Sequence, residues 1–154
     1  YRGNKFKKHN IDLKGNNDVL NITNIEAIKD IHKSYILSGA DIIETNTFNG
    51  TSIAQLDYGL EEYVNDINKF GVIAVKEAIS ETTDLVEGKR ILISGALGPT
   101  NRTASISPDV EDPGARNTSF DELCEAYYIQ AKLLYESGVD ILIPETTFDT
   151  LNLK

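Results

Sequence analysis

Ser38-Gly39-Ala40-Asp41-Ile42-Ile43-Glu44-Thr45 and, further along, Ser137-Gly138-Val139-Asp140-Ile141-Leu142-Ile143-Pro144-Glu145-Thr146 decide the fold. In both, Ser-Gly closes a helical stretch, a short apolar run follows, and Glu-Thr ends it. A short apolar run bounded by turn residues is the pattern of a strand buried on both faces. A third such run, Arg90 to Leu97 (RILISGAL), lies between them. The strand readings are Ala40 to Thr47, Arg90 to Leu97 and Val139 to Thr146, starting about 50 residues apart, a spacing that leaves room for a crossover helix each time.

Helical periodicity fills those intervals. Thr23-Asn24-Ile25-Glu26 has capping-box spacing, and Ile25, Ile28, Ile31 and Tyr35 recur at three or four residues. Ser52 and Gln55 form a second capping box. After them Leu60, Tyr63, Val64, Ile67, Phe70, Gly71, Ala74 and Ala78 mark one helix face, with Gly59 interrupting its first turns. Ser119 to Glu122 opens a third helix whose inner face is read as Leu123, Ala126, Tyr127, Ala131, Leu134 and Tyr135, and Asp149 caps another near the end. The polar segment Gly98 to Asn117 has no period, and long loops in compact domains are usually functional or disordered. Residues 1–22 read as a lead-in loop. The class is therefore α/β with parallel strands, and the repeated strand-helix unit favours a (β/α)8 barrel, of which strands two to four are present.

Composition narrows the function. The 154 residues are 40% apolar and 25% charged, which suits one domain. Fifteen Lys and Arg against 24 Asp and Glu give a net charge of -9, which argues against nucleic acid or an anionic membrane surface as partner. No apolar run is long enough to span a bilayer, and residues 1–10 do not resemble a secretion signal. A single cysteine, Cys124, excludes an internal disulfide and a Cys-rich zinc site, and a reducing cytoplasmic compartment is expected. There is no methionine, so the chain is expected to be an excised or incomplete stretch.

Parallel α/β folds bind ligands at the carboxyl ends of their strands. Those ends carry Glu44-Thr45-Asn46-Thr47, Gly95 to Thr100 and Glu145-Thr146-Thr147. Carboxylates at equivalent ends of two strands suit an amine ligand or acid-base work; the alternative is a satisfied ion pair at the rim. Asp41 and Asp140, at the opposite ends, read as turn or cap residues. Gly95 to Thr100 offers backbone N–H groups to an anion but lacks the Lys-Ser/Thr of a P-loop. His9 and His32 read as surface residues, and Cys124 as a small core hydrophobe.

Three stretches carry a resemblance: GADIIETNTFN (39–49), LGPTNRTASISPDVEDP (97–113) and DILIPETTFDTLN (140–152). They resemble the homocysteine-binding barrel of cobalamin-dependent methionine synthase, and Leu13 to Asp18 extends the likeness toward the start. The long loop is its most specific part, because homocysteine methyltransferases that use betaine or S-methylmethionine share the Glu-Thr strand ends but differ there. The resemblance implies a methyltransferase that makes methionine. In it, zinc held by three cysteine thiolates activates the homocysteine sulfur, methylcobalamin supplies the methyl group, and cobalamin-binding and methyltetrahydrofolate-binding modules belong to the same protein. The expected zinc cysteines lie beyond Lys154, so no metal ligand or catalytic group is expected within this chain, which alone is expected to be inactive. The implied substrate-binding residues are Glu145, for the amino group, with Glu44, Thr45, Thr47, Phe48 and Asn49; Thr100, Asn101 and Arg102 belong to a loop capping the pocket. Pro144 stands where the family has an aliphatic residue, and a bulge before Glu145 is the expectation. The rivals are another homocysteine S-methyltransferase, a phosphate-binding barrel enzyme, and a non-catalytic half-barrel module.

Overall fold

The computed structural model describes residues 2–154. Three parallel strands, β1 (Ile42–Glu44), β2 (Leu92–Leu97) and β3 (Ile141–Pro144), pair in the order β1-β2-β3. The register runs Ile42↔Leu92 to Glu44↔Ser94, then Ser94↔Ile141 to Leu97↔Pro144. The helices are α1 (Leu20–Thr23), α2 (Ile25–Leu37), α3 (Ser52–Leu56), α4 (Val64–Thr82), α5 (Phe120–Ser137) and α6 (Thr150–Leu153). The α/β class and the parallel sheet match the sequence reading, and three strands form one arc of a barrel without closing it. Each strand is shorter than its apolar run. Beyond β1 and β3 single bonds continue the pairing, Thr45 N–H to Ser94 O at 2.8 Å and Glu145 N–H to Leu97 O at 3.0 Å, before the chain turns away.

One face of the sheet holds the core. Ile43 and Ile93 are buried with Ile36 of α2 and Val75 and Ala78 of α4, while Leu97 packs with Val72 and Leu134. Successive strand residues alternate faces, and paired neighbours share one. Ile42, Glu44, Ser94, Ile141, Ile143 and Glu145 therefore face the opposite side, the concave side of the arc.

The capping box of α5 forms as expected, with Ser119 and Glu122 exchanging hydrogen bonds. Two other caps move by one residue. Thr51, rather than Ser52, accepts from Ala54 N–H at 3.1 Å, and α2 starts after Asn24 while the Thr23 hydroxyl donates back to Val19 O. Gly59, at φ 60°, does divide α3 from α4.

The inner face of α2 is also corrected. Ile28 is buried as expected, but Ile31 and Tyr35 are 52% and 63% exposed, and Lys29, His32 and Ile36 are buried instead. Lys29 is drawn inward because it bridges to α4, bonding Glu81 at 2.8 Å and Glu77 at 3.4 Å, besides Glu26 on its own helix at 2.9 Å. On α5, Gln130 is buried where Tyr135 was expected. Cys124 is exposed, because the inward positions beside it are taken by Leu123 and Ala126.

Residues 2–16 are turns and loop, as the lead-in reading has them, but they carry buried side chains; Tyr1 lies outside the described residues. Phe6, Leu13 and Val19 are buried with Leu60 in a core of their own, and Phe6 meets the Tyr63 ring edge-on at 5.0 Å. A turn of 3-10 helix at Asn17–Val19 leads directly into α1. These apolar residues are too widely spaced to show a helix or strand period, which is why they read as loop.

His32 is buried, not a surface residue, and His9 is tied to Tyr58 O at 2.7 Å. Among the described residues His32 Nε2 has no hydrogen-bond partner, and burial pulls its pKa down from 6.5 to about 4. A histidine held neutral stabilises the fold above the unfolded pKa, and that contribution is lost as pH falls from about 6.5 toward 4. The span is worth on the order of 3 kcal/mol. Urea unfolding of His32→Leu at a series of pH values is expected to show most of that acid sensitivity removed; an unchanged pH profile would contradict it.

Candidate functional site

The carboxyl ends of the strands bring Glu44 and Glu145 together on the concave face. The Glu44 pKa is raised by partial burial first and then by the neighbouring charge and hydrogen bonding of Glu145. Ser94, the register neighbour of Glu44, has a buried hydroxyl with no partner among the described residues. Two acidic groups and an unpartnered hydroxyl thus share the mouth of the arc.

Glu145 is aimed without a bulge. Register is continuous to Leu97↔Pro144, and the Glu145 N–H faces β2, so alternation turns the nitrogen of Pro144 away from β2 and no bond of the β2–β3 ladder is lost. The bulge expected there does not form. Immediately afterwards Thr146 adopts φ 53°, rare for a β-branched residue, and turns the chain sharply.

The loop after β1 is built by hydrogen bonds. The hydroxyls of Thr45 and Thr47 lie 2.7 Å apart; Thr45 Oγ1 accepts from Ala96 N–H at 3.1 Å, and Thr47 Oγ1 donates to Ala96 O at 2.9 Å. Both residues are buried, so their hydroxyls serve the loop itself. Gln130 of α5 donates to Thr47 O at 2.7 Å and to Ala96 O at 3.2 Å. Phe48 rests on Gly98: a Cβ there would run into the Phe48 carbonyl oxygen and lie 2.8 Å from its ring. The loops after β1 and β2 therefore stack, beside Glu145.

Behind the loop stands the segment that sequence reading passed over. Asp18 accepts from Asn49 N–H at 2.9 Å and from Asn49 Nδ2 at 3.0 Å. Asn21 donates to Asn46 O at 2.7 Å, and Asn46 donates to Asn17 O and Asn21 Oδ1, each at 3.0 Å. Asn16 donates to Gln55 at 2.7 Å, and Gln55 donates to Asn49 O at 2.9 Å. Asp18 is buried, which raises its pKa, while its bonds from Asn49 pull the other way. A run of Asn and Asp looks alike in a solvated turn and in a buried scaffold, so nothing in the sequence marked these residues.

The long loop Gly98 to Asn117 is anchored to the start of α6. Asp149 accepts from Ser105 N–H at 3.0 Å and from its hydroxyl at 2.6 Å, which holds the Asp149 carboxyl below the usual range. Asn152 donates to Arg102 O at 2.8 Å. Thr100 is buried, with its N–H on Tyr127 Oη, and Asn101 bonds Asp57. The Arg102 side chain lines a cleft with Ser52, Ile53 and Glu122, not the mouth that holds the two glutamates. The N–H groups of Ala96 and Thr100 are engaged internally, so Gly95 to Thr100 is not an open anion cradle.

Among the described residues no three His, Cys, Asp or Glu side chains converge to hold a metal, and the lone thiol, Cys124, lies on the outer surface of α5. The residues of this chain do not fit a zinc centre by themselves. No helix among them is long and apolar enough to cross a membrane.

Comparison with known proteins agrees with this architecture. Two solved structures of the homocysteine methyltransferase MmuM from Escherichia coli share the fold, each with a TM-score of 0.70. The metallated form is 18% identical over 87% of this chain and 46% of that one; the oxidised form is 17% identical over 97% and 52%. The chain thus spans about half the length of these structures. The family model described as homocysteine S-methyltransferase matches residues 3–154, nearly the whole sequence, and on that match the chain belongs to the homocysteine S-methyltransferase family.

Proposed function

We propose that this chain is the amino-acid-binding part of a homocysteine barrel that takes its methyl group from methylcobalamin, as in cobalamin-dependent methionine synthase. The observation that carries the homocysteine reading is the Glu44–Glu145 pair at the strand ends, beside the unpartnered Ser94 hydroxyl. An α-ammonium group placed between the carboxylates neutralises their repulsion and receives charge-assisted hydrogen bonds. Glu145 is the principal acceptor, with Glu44 beside it. The loop from Thr45 to Asn49 walls the pocket through Phe48 and its backbone, and its own hydrogen bonds keep it rigid. Holding the amino group fixes where the sulfur points, which is how remote binding orients a reacting atom.

The choice of methylcobalamin is supported by the loop from Leu97 to Pro113, whose sequence resembles that branch and which Asp149 and Asn152 hold in place. In this proposal the three zinc thiolates and the cobalamin and methyltetrahydrofolate modules belong to other parts of the protein.

Donor choice tests the reading. The whole protein, given L-homocysteine with methylcobalamin, S-methylmethionine or betaine in turn, is expected to form methionine from methylcobalamin alone. Product from S-methylmethionine or betaine instead would move the chain to another branch of the family. Homocysteine binding with no product from any donor would favour a non-catalytic module.

A further inference from the structure

We infer that Asp18 is a positioning residue for the amino-acid pocket, clamping the Phe48-Asn49 turn from behind while Gly98 supports it from below. This rests on the homocysteine reading above. The two groups that Asp18 meets, the Asn49 backbone N–H and side-chain amide, are both donors, at 2.9 and 3.0 Å. Each donor sits on its own oxygen, and a carboxylate presents two acceptor oxygens where an amide or a hydroxyl presents one.

The placement is costly for the fold. Asp18 is 1% exposed, and among the described residues no Lys, Arg or His lies within ion-pair distance of it. A buried carboxylate with no counter-charge is costly unless hydrogen bonds compensate it, and here both come from Asn49. What it holds here is one turn. The Asn16–Gln55–Asn49 chain and the Asn21–Asn46 pair brace the same turn on either side, so Asp18 closes a frame that is otherwise complete. The turn carries Phe48 onto Gly98, next to the strand end that aims Glu145. The segment around Asp18 thereby acts on the pocket without touching its ligand.

The test uses the whole protein with Asp18→Leu, Asn49→Asp, and Asp18→Asn combined with Asn49→Asp. Asp18→Leu offers no acceptor to either donor of Asn49, both bonds are lost, and KM for homocysteine is expected to rise about tenfold with kcat within about twofold. Asn49→Asp sets two carboxylates against each other and should be worse. In the double variant the amide now at position 18 accepts from the backbone N–H of position 49 and donates to the carboxylate now at position 49, so most of the lost affinity should return. Hydrogen exchange of the backbone amide at position 49 is expected to follow the same order: fast in each single variant, slow again in the double. A parent-like KM in Asp18→Leu, or a double variant no better than the worse single, overturns the inference. If the parent itself fails to bind homocysteine, the substrate reading falls, and amide exchange alone then decides whether Asp18 clamps the turn.

Discussion

In the whole protein, Glu145→Gln is expected to raise the homocysteine dissociation constant about ten- to a hundredfold, the worth of a charge-assisted hydrogen bond of about 1.5 to 3 kcal/mol. The glutamine keeps the shape and the Glu145 N–H to Leu97 O bond, which belongs to the backbone, so the loss reports on charge. An analogue of homocysteine without the amino group should bind parent and variant alike. Glu44→Gln separates the partners. Because Glu44 takes up its proton above the ordinary carboxyl range, binding by the parent should weaken as pH falls through that region. In Glu44→Gln that step is absent, and affinity should hold to lower pH. Calorimetric titration from neutral pH down to the ordinary carboxyl range checks both. Unchanged affinity in Glu145→Gln at neutral pH would make it a rim residue with no ligand.

The second large effect is expected at Gly98. A methyl group there meets the Phe48 carbonyl head-on and the ring at 2.8 Å, and a backbone oxygen held by the surrounding frame has nowhere to retreat. Gly98→Ala should therefore cost about 1 to 3 kcal/mol in urea unfolding, the range for overpacking a rigid site. Homocysteine binding should fall with it, because the displaced loop is a wall of the pocket. Gly114→Ala is the control. Its new carbon meets only the flexible Asp112 carboxylate, at 3.2 Å, and its stability should stay within about 0.5 kcal/mol of the parent. Equal behaviour of the two variants would mean that Phe48 is not seated on Gly98.

These expectations divide by where their residues were visible. Glu44 and Glu145 stood out because they end apolar runs that repeat, and strand ends of one parallel sheet must share a side. Gly98 was visible only as part of a polar stretch. Asp18 and Gln130 were invisible as site residues, since each acts through a partner far away in sequence, Asn49 and Thr47 respectively.

The α/β class, the three strands, the capping box at Ser119, the break at Gly59 and the strand-end glutamates were all legible from residue order. Each follows from a local rule: periodicity, capping spacing or a turn residue acting within a few positions. Which side of α2 faces inward was settled only by packing, because Lys29 finds its acceptors on α4. Packing also buried His32 and left Cys124 exposed, turned the hydroxyls of Thr45 and Thr47 into the loop, and drew side chains of residues 2–22 into a second small core and a scaffold. The reason is common to them all: a hydrogen bond or a buried contact between residues far apart in the chain leaves no local period, and its energy exists only once the helices have packed on the sheet.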